Sequence, residues 1–243
     1  MTSASRRFIL TLVSVLLCAA ILAQAQSSDS ALDEALHLLE EGRTTLADQP
    51  LSSAHDALAQ LCQQHSDNAG YFYEMGRVNR YRVEAYIARN DQKNAERALD
   101  EAIGNLQQSL KLNEKSADAH SLLADLYGRK IGLGISMFAG PRYGPKVEAE
   151  NRRAFELDAN NAHAFASRGR QYLEAPKMFG GDLDKAIADF RKSTELDPKS
   201  DETFVWLAIA LRKKGDNAGA DRALQVALRL NPRSAFAKHT AGK

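Results

Sequence analysis

From Ser30 onward the apolar residues of the chain recur at spacings of three and four, and no stretch alternates apolar and polar as a half-buried strand would. Leu38, Gly42, Ala54, Leu58 and Leu61 define a first pair of helices over about 30–66. Phe72, Met75, Asn79, Val83 and Tyr86 keep helical spacing over a long second stretch, and Ala95, Leu99, Ala102, Ile103, Leu106 and Leu110 do so over its partner. Val and Ile are scarce beside Ala, Leu, Arg, Glu and Gln, which are strong helix formers. Pro50, Pro141, Pro145 and Pro176 read as loop residues, and Pro198 and Pro232 as helix ends. The pattern predicts an all-α chain.

The pattern also repeats. Leu196-Asp197-Pro198 returns as Leu230-Asn231-Pro232, 34 residues later. Ala186, Phe190, Asp197 and Pro198 align with Ala220, Leu224, Asn231 and Pro232, and Phe204, Leu207, Ala208 and Leu211 align with Phe165, Arg168, Gly169 and Tyr172 upstream. This resembles the tetratricopeptide (TPR) repeat, a helix A–turn–helix B unit with aromatic residues at positions 4 and 24, Leu-Gly at 7–8, Tyr at 11, Ala at 20 and 27, and Pro at 32. Segments 117–161, 162–200 and 201–234 follow that frame, and 30–66 and 69–116 are degenerate helical pairs of the same type, with 235–243 as a C-terminal stub. The resemblance implies a right-handed superhelical solenoid of about five helix pairs with extended A–B loops, a single array over 26–243. The small residue at position 8 lets helix A approach helix B, so Gly169 should reject a large side chain. Arg168 stands where the pattern holds Leu, and it should reach an acid at the edge of the core.

Spacing between the position-32 residues Ser66, Glu114, Ala159, Pro198 and Pro232 runs 48, 45, 39 and 34. The excess in the second repeat should lengthen both helices. In the third and fourth it should be loop, Ile131 to Pro145 and Ala175 to Asp182, where Gly and Pro exclude helix. Turns between helices A and B share one edge of such a solenoid, so the two loops should gather Met137, Phe138, Tyr143, Met178 and Phe179 into a rim with the basic residues Arg142, Lys146 and Lys177. A rim of that kind either packs onto a neighbouring helix or binds a partner.

The first 25 residues are set apart. Arg6 and Arg7 precede sixteen residues, Phe8 to Ala23, broken only by Thr11 and Ser14, and Ala23-Gln24-Ala25 follows. That is a secretory signal peptide, with cleavage expected after Ala25 and a periplasmic or secreted product. Sixteen residues fall short of the ~20 that span a bilayer. Leu17 before Cys18 does not suit a lipid-attachment site. Without Arg6 and Arg7, 30 basic residues face 31 acidic ones, so no basic field suits nucleic acid. Cys62 is then the one remaining cysteine, either a buried small hydrophobe or a reactive thiol. The chain is similar to exported bacterial TPR proteins, including the periplasmic T-component of tripartite (TRAP-type) transporters, although those carry a lipid-attachment cysteine.

Reaction chemistry is absent from the sequence. His37, His55, His65, His120, His163 and His239 form no metal-binding pair on a helix face. There is no nucleophile elbow, P-loop or dinucleotide fingerprint. Asp182-Leu183-Asp184 reads as a helix N-cap rather than a metal site. We therefore expect no metal, no cofactor and no enzymatic activity. In TPR proteins, positions 2, 5, 9, 12 and 13 of helix A line the concave surface. Across repeats two to five these include Tyr73, Arg77, Arg80, Tyr81, Asp118, Ser121, Asp125, His163, Arg170 and Glu202. The clamp by which some TPR proteins hold a C-terminal carboxylate is missing, because Ser121, Asp125, Ser167, Glu202 and Trp206 occupy its positions. Tyr73, Arg77, Arg80 and Tyr81 share one helix face and form either a partner-binding surface or a solvated face paired to Glu74 and Glu84. The expected function is that of a scaffold or adaptor for a protein or peptide. The alternative is an accessory or solute-binding component of an envelope transport system.

Overall fold

The computed structural model describes residues 28–134 and 138–242, so the leader, its cleavage site and Met137 lie outside the described residues. The described chain is helical, with no strand. Helix α1 covers 28–45 and pairs with α2 (Asp48–Gln64). There follow α3 (Ala69–Ala88) with α4 (Gln92–Leu112), α5 (Ala117–Gly132) with α6 (Ala139–Leu157), α7 (Ala162–Glu174) with α8 (Leu183–Leu196), and α9 (Asp201–Lys214) with α10 (Asn217–Leu230). A last short helix, α11 (Ala235–Ala241), packs on α9 and α10 and covers the end of the array where a stub was expected.

Local chemistry sets most boundaries. Asn68, Asp91, Ser116, Asn161, Asp182, Ser200, Asp216 and Ser234 each accept backbone N–H bonds at the start of a helix. Asp182 is thus the N-cap that its sequence context suggests. Gly215, at φ 92°, turns the chain out of α9, and the N–H groups of Gly215 and Asp216 bond back to Arg212 and Leu211.

Helix A meets helix B through a small residue. A Cβ on Gly169 would lie 2.8 Å from the ring of Phe190, and one on Gly76 2.7 Å from Leu106. The position-8 glycine is therefore a point of close approach in the second and fourth pairs, and buried Ala124 and Ala208 hold that position in the third and fifth.

The third repeat departs from expectation. The longer spacing in repeat two does lengthen both helices, to 20 and 21 residues. The segment 131–145 is not one long loop, however. Helix α5 runs to Gly132, and α6 begins at Ala139 and continues through Pro145. Pro141 sits in the first turn, where no N–H is needed. A proline disfavours helix at the preceding residue largely by clashing with its Cβ, and here both Pro141 and Pro145 follow glycine, Gly140 and Gly144. Buried Ala139 and Val147, with Tyr143 stacked on Tyr127 at 5.8 Å, supply packing that outweighs the lost hydrogen bond. Pro50 likewise lies in the first turn of α2, not in a loop. Residues 175–182 do form a connection, with a 3-10 turn over Lys177–Phe179.

Apolar packing forms three clusters. One joins α1, α2 and α3, a second joins α3 to α6, and a third joins α7 to α11 around fully buried Phe190 and Val205. The array also closes on itself. Arg43 at the end of α1 donates to Asp201 of α9 at 2.8 Å, and Asn231 donates to both Asp201 (3.0 Å) and Thr44 (3.1 Å).

Candidate functional site, a charged cleft on the inner face

Helices α3, α5, α7 and α9 are the A helices of successive repeats, and together with the end of α1 they enclose a cleft of about 270 Å³. Tyr73, Arg77, Arg80 and Tyr81 from α3 all line it, so the face singled out in the sequence is brought together on one wall. Asp118, Ser121 and Asp125 come from α5, His163, Ser167 and Arg170 from α7, and Glu202 and Trp206 from α9. The positions expected to line the inner face at 12 and 13 of repeats four and five (Leu173, Glu174, Arg212, Lys213) stay outside the cleft.

The floor is an ion network. Arg80 donates from Nε to Asp125 at 3.1 Å and through Nη1 and Nη2 to both oxygens of Glu202, spanning α3 to α9. Tyr81 adds a hydroxyl bond to Glu202 at 3.1 Å. Arg170 pairs with the other oxygen of Asp125 and lies over the Trp206 ring at 5.3 Å. Burial pushes the Asp125 carboxyl upward, but Arg170, Arg80 and Arg129 outweigh it and hold its pKa below the usual carboxylate range. The same balance, with Arg80 as the main counter-charge, depresses Glu202. Burial raises the phenols of Tyr73 and Tyr81, which therefore remain neutral. Hydrogen bonding from His163, assisted by Asn161, lowers Asp118 to about 2 against the cost of partial burial.

Arg80 is thus not on a solvated face. It is buried and committed to Asp125 and Glu202, whereas Arg77 keeps the expected bond to Glu74 at 2.7 Å and remains a third exposed. Glu84 pairs with Arg129 instead, at 2.5 Å. Arg43, Arg80, Tyr81, Asp201, Glu202 and Trp206 also border a cavity of about 60 Å³ toward Leu46 and Phe236, so the network partitions the interior of the array. Arg43 and Asp201 were not among the sequence candidates. Arg43 belongs to the degenerate first repeat, where the frame gave no inner positions.

The loop residues are placed differently. Phe179 is 70% exposed and, with Gly180, borders a groove of about 590 Å³ between α6 and α7 lined by Glu148, Phe155 and Arg168. Met178 beside it is 83% exposed. Phe138 is exposed at the start of α6, and Tyr143 packs against the α3–α6 cluster through Tyr127. Arg142 lies over the Tyr143 ring at 5.3 Å and Lys146 over Tyr127 at 5.1 Å. Lys177 lies instead with Lys213 and Lys214 beside α8 and α9. Arg168 reaches an acid as its position demanded, donating to both oxygens of Asp189 at 2.7 and 2.8 Å while lying over Phe155 at 4.3 Å.

Among the described residues no three His, Cys, Asp or Glu side chains are placed to hold a metal ion. Nor is any described helix long and apolar enough to cross a membrane. Cys62 is half-buried, and burial lifts its thiol to about 11, so it is protonated at neutral pH.

The comparisons with known proteins agree with the architecture. The tetratricopeptide-repeat family pattern matches residues 178–200. No curated protein matches the sequence. Among solved structures, the thermophilic TPR protein TTC0263 of Thermus thermophilus superposes with a TM-score of 0.67 at 15% identity, covering 88% of this chain and 97% of that one. YrrB, described as a TPR protein with an unusual peptide-binding site, gives a TM-score of 0.41 at 19% identity over 80% of this chain and 85% of its own. MamA from Desulfovibrio magneticus RS-1 gives 0.42 at 14% identity, over 86% and 97%. With five stacked helical pairs, glycine at a close contact in the first, second and fourth, and one segment that matches the repeat pattern, the chain has the fold of a tetratricopeptide-repeat solenoid.

Proposed function

We propose that the protein is a non-enzymatic, exported TPR adaptor that holds a protein or peptide partner in the cleft on its inner face. TPR proteins generally mediate protein–protein interaction. The observation that carries the reading here is the cleft wall of Tyr73 and Arg77, both partly exposed above a floor whose charges are already paired. Tyr and Arg offer large contact area and directional donors, the properties that concentrate binding energy at interfaces. The amino-terminal pattern of Arg6-Arg7, an apolar run and Ala23-Gln24-Ala25 supports export.

The test is selection of binding peptides from a displayed library on the mature chain, followed by the double variant Tyr73→Ala, Arg77→Glu. Capture should be lost while the helical circular dichroism is retained. Capture equal to the parent's would overturn the assignment of the cleft. Export is tested separately, by mass spectrometry of envelope material, where Gln26 should be the first residue.

A second reading, a solute-binding component of an envelope transport system, is favoured by one feature. Contacts from α1 and α10 to Asp201 close the array, and the cleft is small, near the lower end of the ~300–1,000 Å³ usual for small-molecule pockets. A helix would not enter it. An extended chain end or a small molecule would.

A further inference from the structure

Among the described residues the apolar core falls into two bodies. The clusters of α1–α3 and of α3–α6 share helix α3, so 28–157 packs as one unit, and α7 to α11 form the other. No cluster spans α6 and α7, although every other junction between successive repeats lies within one. The turn itself is ordinary. Asp158 to Asn161 and Asp197 to Ser200 are built alike, each with an Asp that accepts from the N–H two residues on and an N-cap at its end. The packing beside it differs. A groove of about 590 Å³ separates α6 from α7, and buried Ala154 and Ala164, with Phe155 edge-on to Phe165, stand outside both bodies' clusters. Across the cleft from this junction the two bodies meet through polar groups. Arg80 and Tyr81 bond to Glu202, Arg43 to Asp201, and Asn231 to Thr44.

We propose that the two bodies are jaws hinged at 158–161, and that the bonds Arg43–Asp201 and Thr44–Asn231 are the clasp that holds them closed over the cleft. Rotation about the hinge leaves the contacts beside it in place, Asn161 on Asp118 and Arg170 on Asp125. It separates Arg80 and Tyr81 from Glu202 and the two ends of the array from each other. Each group released meets water, and Arg80 keeps Asp125, so no charge is left alone in an apolar surround. A bond between protein groups that is exchanged for bonds to water costs little net. Parting any other junction would expose the apolar area of a cluster. The polar seam is thus the line along which the array opens without unfolding, as hinged domains do. The purpose of the device rests on the reading of the cleft as the binding surface: closed jaws retain what lies against Tyr73 and Arg77, and open jaws let it exchange.

Spin labels on Gln63→Cys in α2 and Arg222→Cys in α10, both exposed, measure the separation of the jaws in the mature chain carrying Cys62→Ala. Arg43→Gln with Asn231→Ala breaks the clasp and should move the distance distribution to longer values while the helical circular dichroism is retained. Thr44→Val is a smaller change that should move it the same way and less, and it decides the matter if the double variant does not fold. Lys214→Ala breaks a pair to Asp184 inside one jaw and should leave the distances as they are. Trp206 is the sole tryptophan, borders the cleft and is 9% exposed, so acrylamide quenching reads access to the cleft with no ligand present. Quenching should rise severalfold in the clasp variant. Thr44→Cys with Asn231→Cys, in the same Cys62→Ala chain, should quench like that variant until a short thiol–thiol crosslinker joins the two, which should restore the parent's value. Three results overturn the proposal: parental distances in a folded clasp variant and in Thr44→Val, an equal shift from Lys214→Ala, or a crosslinked chain still quenched like the open one. The peptide test of Tyr73 and Arg77 stands apart from these measurements. Its failure removes the cleft as binding surface and leaves the hinge, and a rigid array removes the hinge and leaves the cleft.

Discussion

The junction between repeats four and five and the junction between repeats three and four use the same helical geometry and different chemistry. The first has an apolar centre: Leu173, Phe190, Val205, Leu207 and Ala208 belong to one buried cluster that continues into α10, with Lys213 and Lys214 bonded to Leu173 and Asp184 only at its edge. The second interrupts the core. Between α6 and α7 the contacts are Asn151 to Gln171 at 3.1 Å, Phe155 edge-on to Phe165 at 4.9 Å, and Arg168 laid across both rings. On the inner side the same junction carries Asp125 and Arg170. An apolar interface is held by area alone and is indifferent to pH, whereas a polar one is held by pairing and depends on protonation and on every partner being present. The apolar continuity of the C-terminal end thus contrasts with the charge pairing of the middle.

The largest effects should come from breaking each side of this contrast. Phe190→Ala removes a fully buried ring and should cost ~3–5 kcal/mol in chemical denaturation. Arg80→Met removes the main counter-charge of half-buried Glu202 and leaves buried Asp125 with Arg170 alone, and should cost up to ~3–5 kcal/mol near neutral pH. Acid separates the two. The folded-state pKa values of Asp125 and Glu202 lie below the ordinary 3.8 and 4.5, so their contribution is complete above those values and is lost as pH falls through the depressed ones. The penalty of Arg80→Met should therefore shrink toward about pH 2, while that of Phe190→Ala stays constant; a constant penalty for both would remove the distinction.

Close packing comes next. Gly169→Leu should destabilise by ~1–3 kcal/mol or more, because Phe190 occupies the space. Gly128→Ala is the matched control, since a Cβ there meets nothing within 4 Å, and it should stabilise by up to ~1 kcal/mol. Equal melting temperatures for the two variants would mean that the register of the repeats is wrong.

His120 gives a smaller, pH-dependent effect. Partial burial opposes its charge, but the bonds to Glu150 at 2.6 Å and to the Glu114 carbonyl outweigh this and raise its pKa above 6.5. Its stabilisation is complete below that value and fades as pH rises through the folded one. Parent and His120→Asn should converge in melting temperature as pH is raised from 6 toward 8 and beyond. Phe179→Ser, on the exposed loop, should change stability by no more than ~0.5 kcal/mol, as expected of a surface position.

The sequence discloses the apolar junctions more fully than the polar ones, for a physical reason. Small and large residues at fixed intervals, such as Gly169 against Phe190 or Gly76 against Leu106, are a one-dimensional record of how two helices fit. Arg168 could be placed on the same basis, since an arginine at a leucine position has to find an acid, and Asp189 lies on the paired helix. Pro141 and Pro145 misled, because glycine before each and Tyr127 beneath Tyr143 make helix tolerable where composition argues against it. The partners of Arg80 were out of reach for another reason. Asp125 and Glu202 lie 45 and 122 residues away, and only the curvature of the assembled array brings them to the same point. Tyr73 and Arg77 were found because their helix face is continuous in sequence. Arg43 was missed because its partner is 158 residues distant.

That last distance has a consequence for how the chain folds and how it could evolve. Repeat arrays ordinarily behave as one-dimensional chains of neighbours, where units can be added, removed or frayed from an end at little expense to the rest. Thr44 bonded to Asn231 across 187 residues makes the two ends neighbours as well. Closing the circle raises the mean separation of contacting residues and slows the search for the native state. It also couples loss of the first hairpin to exposure of the last, so unfolding should lose the stepwise character of an open stack. A sixth repeat inserted into this chain would have to prise those ends apart, so the contact fixes the number of repeats as well as holding the molecule together.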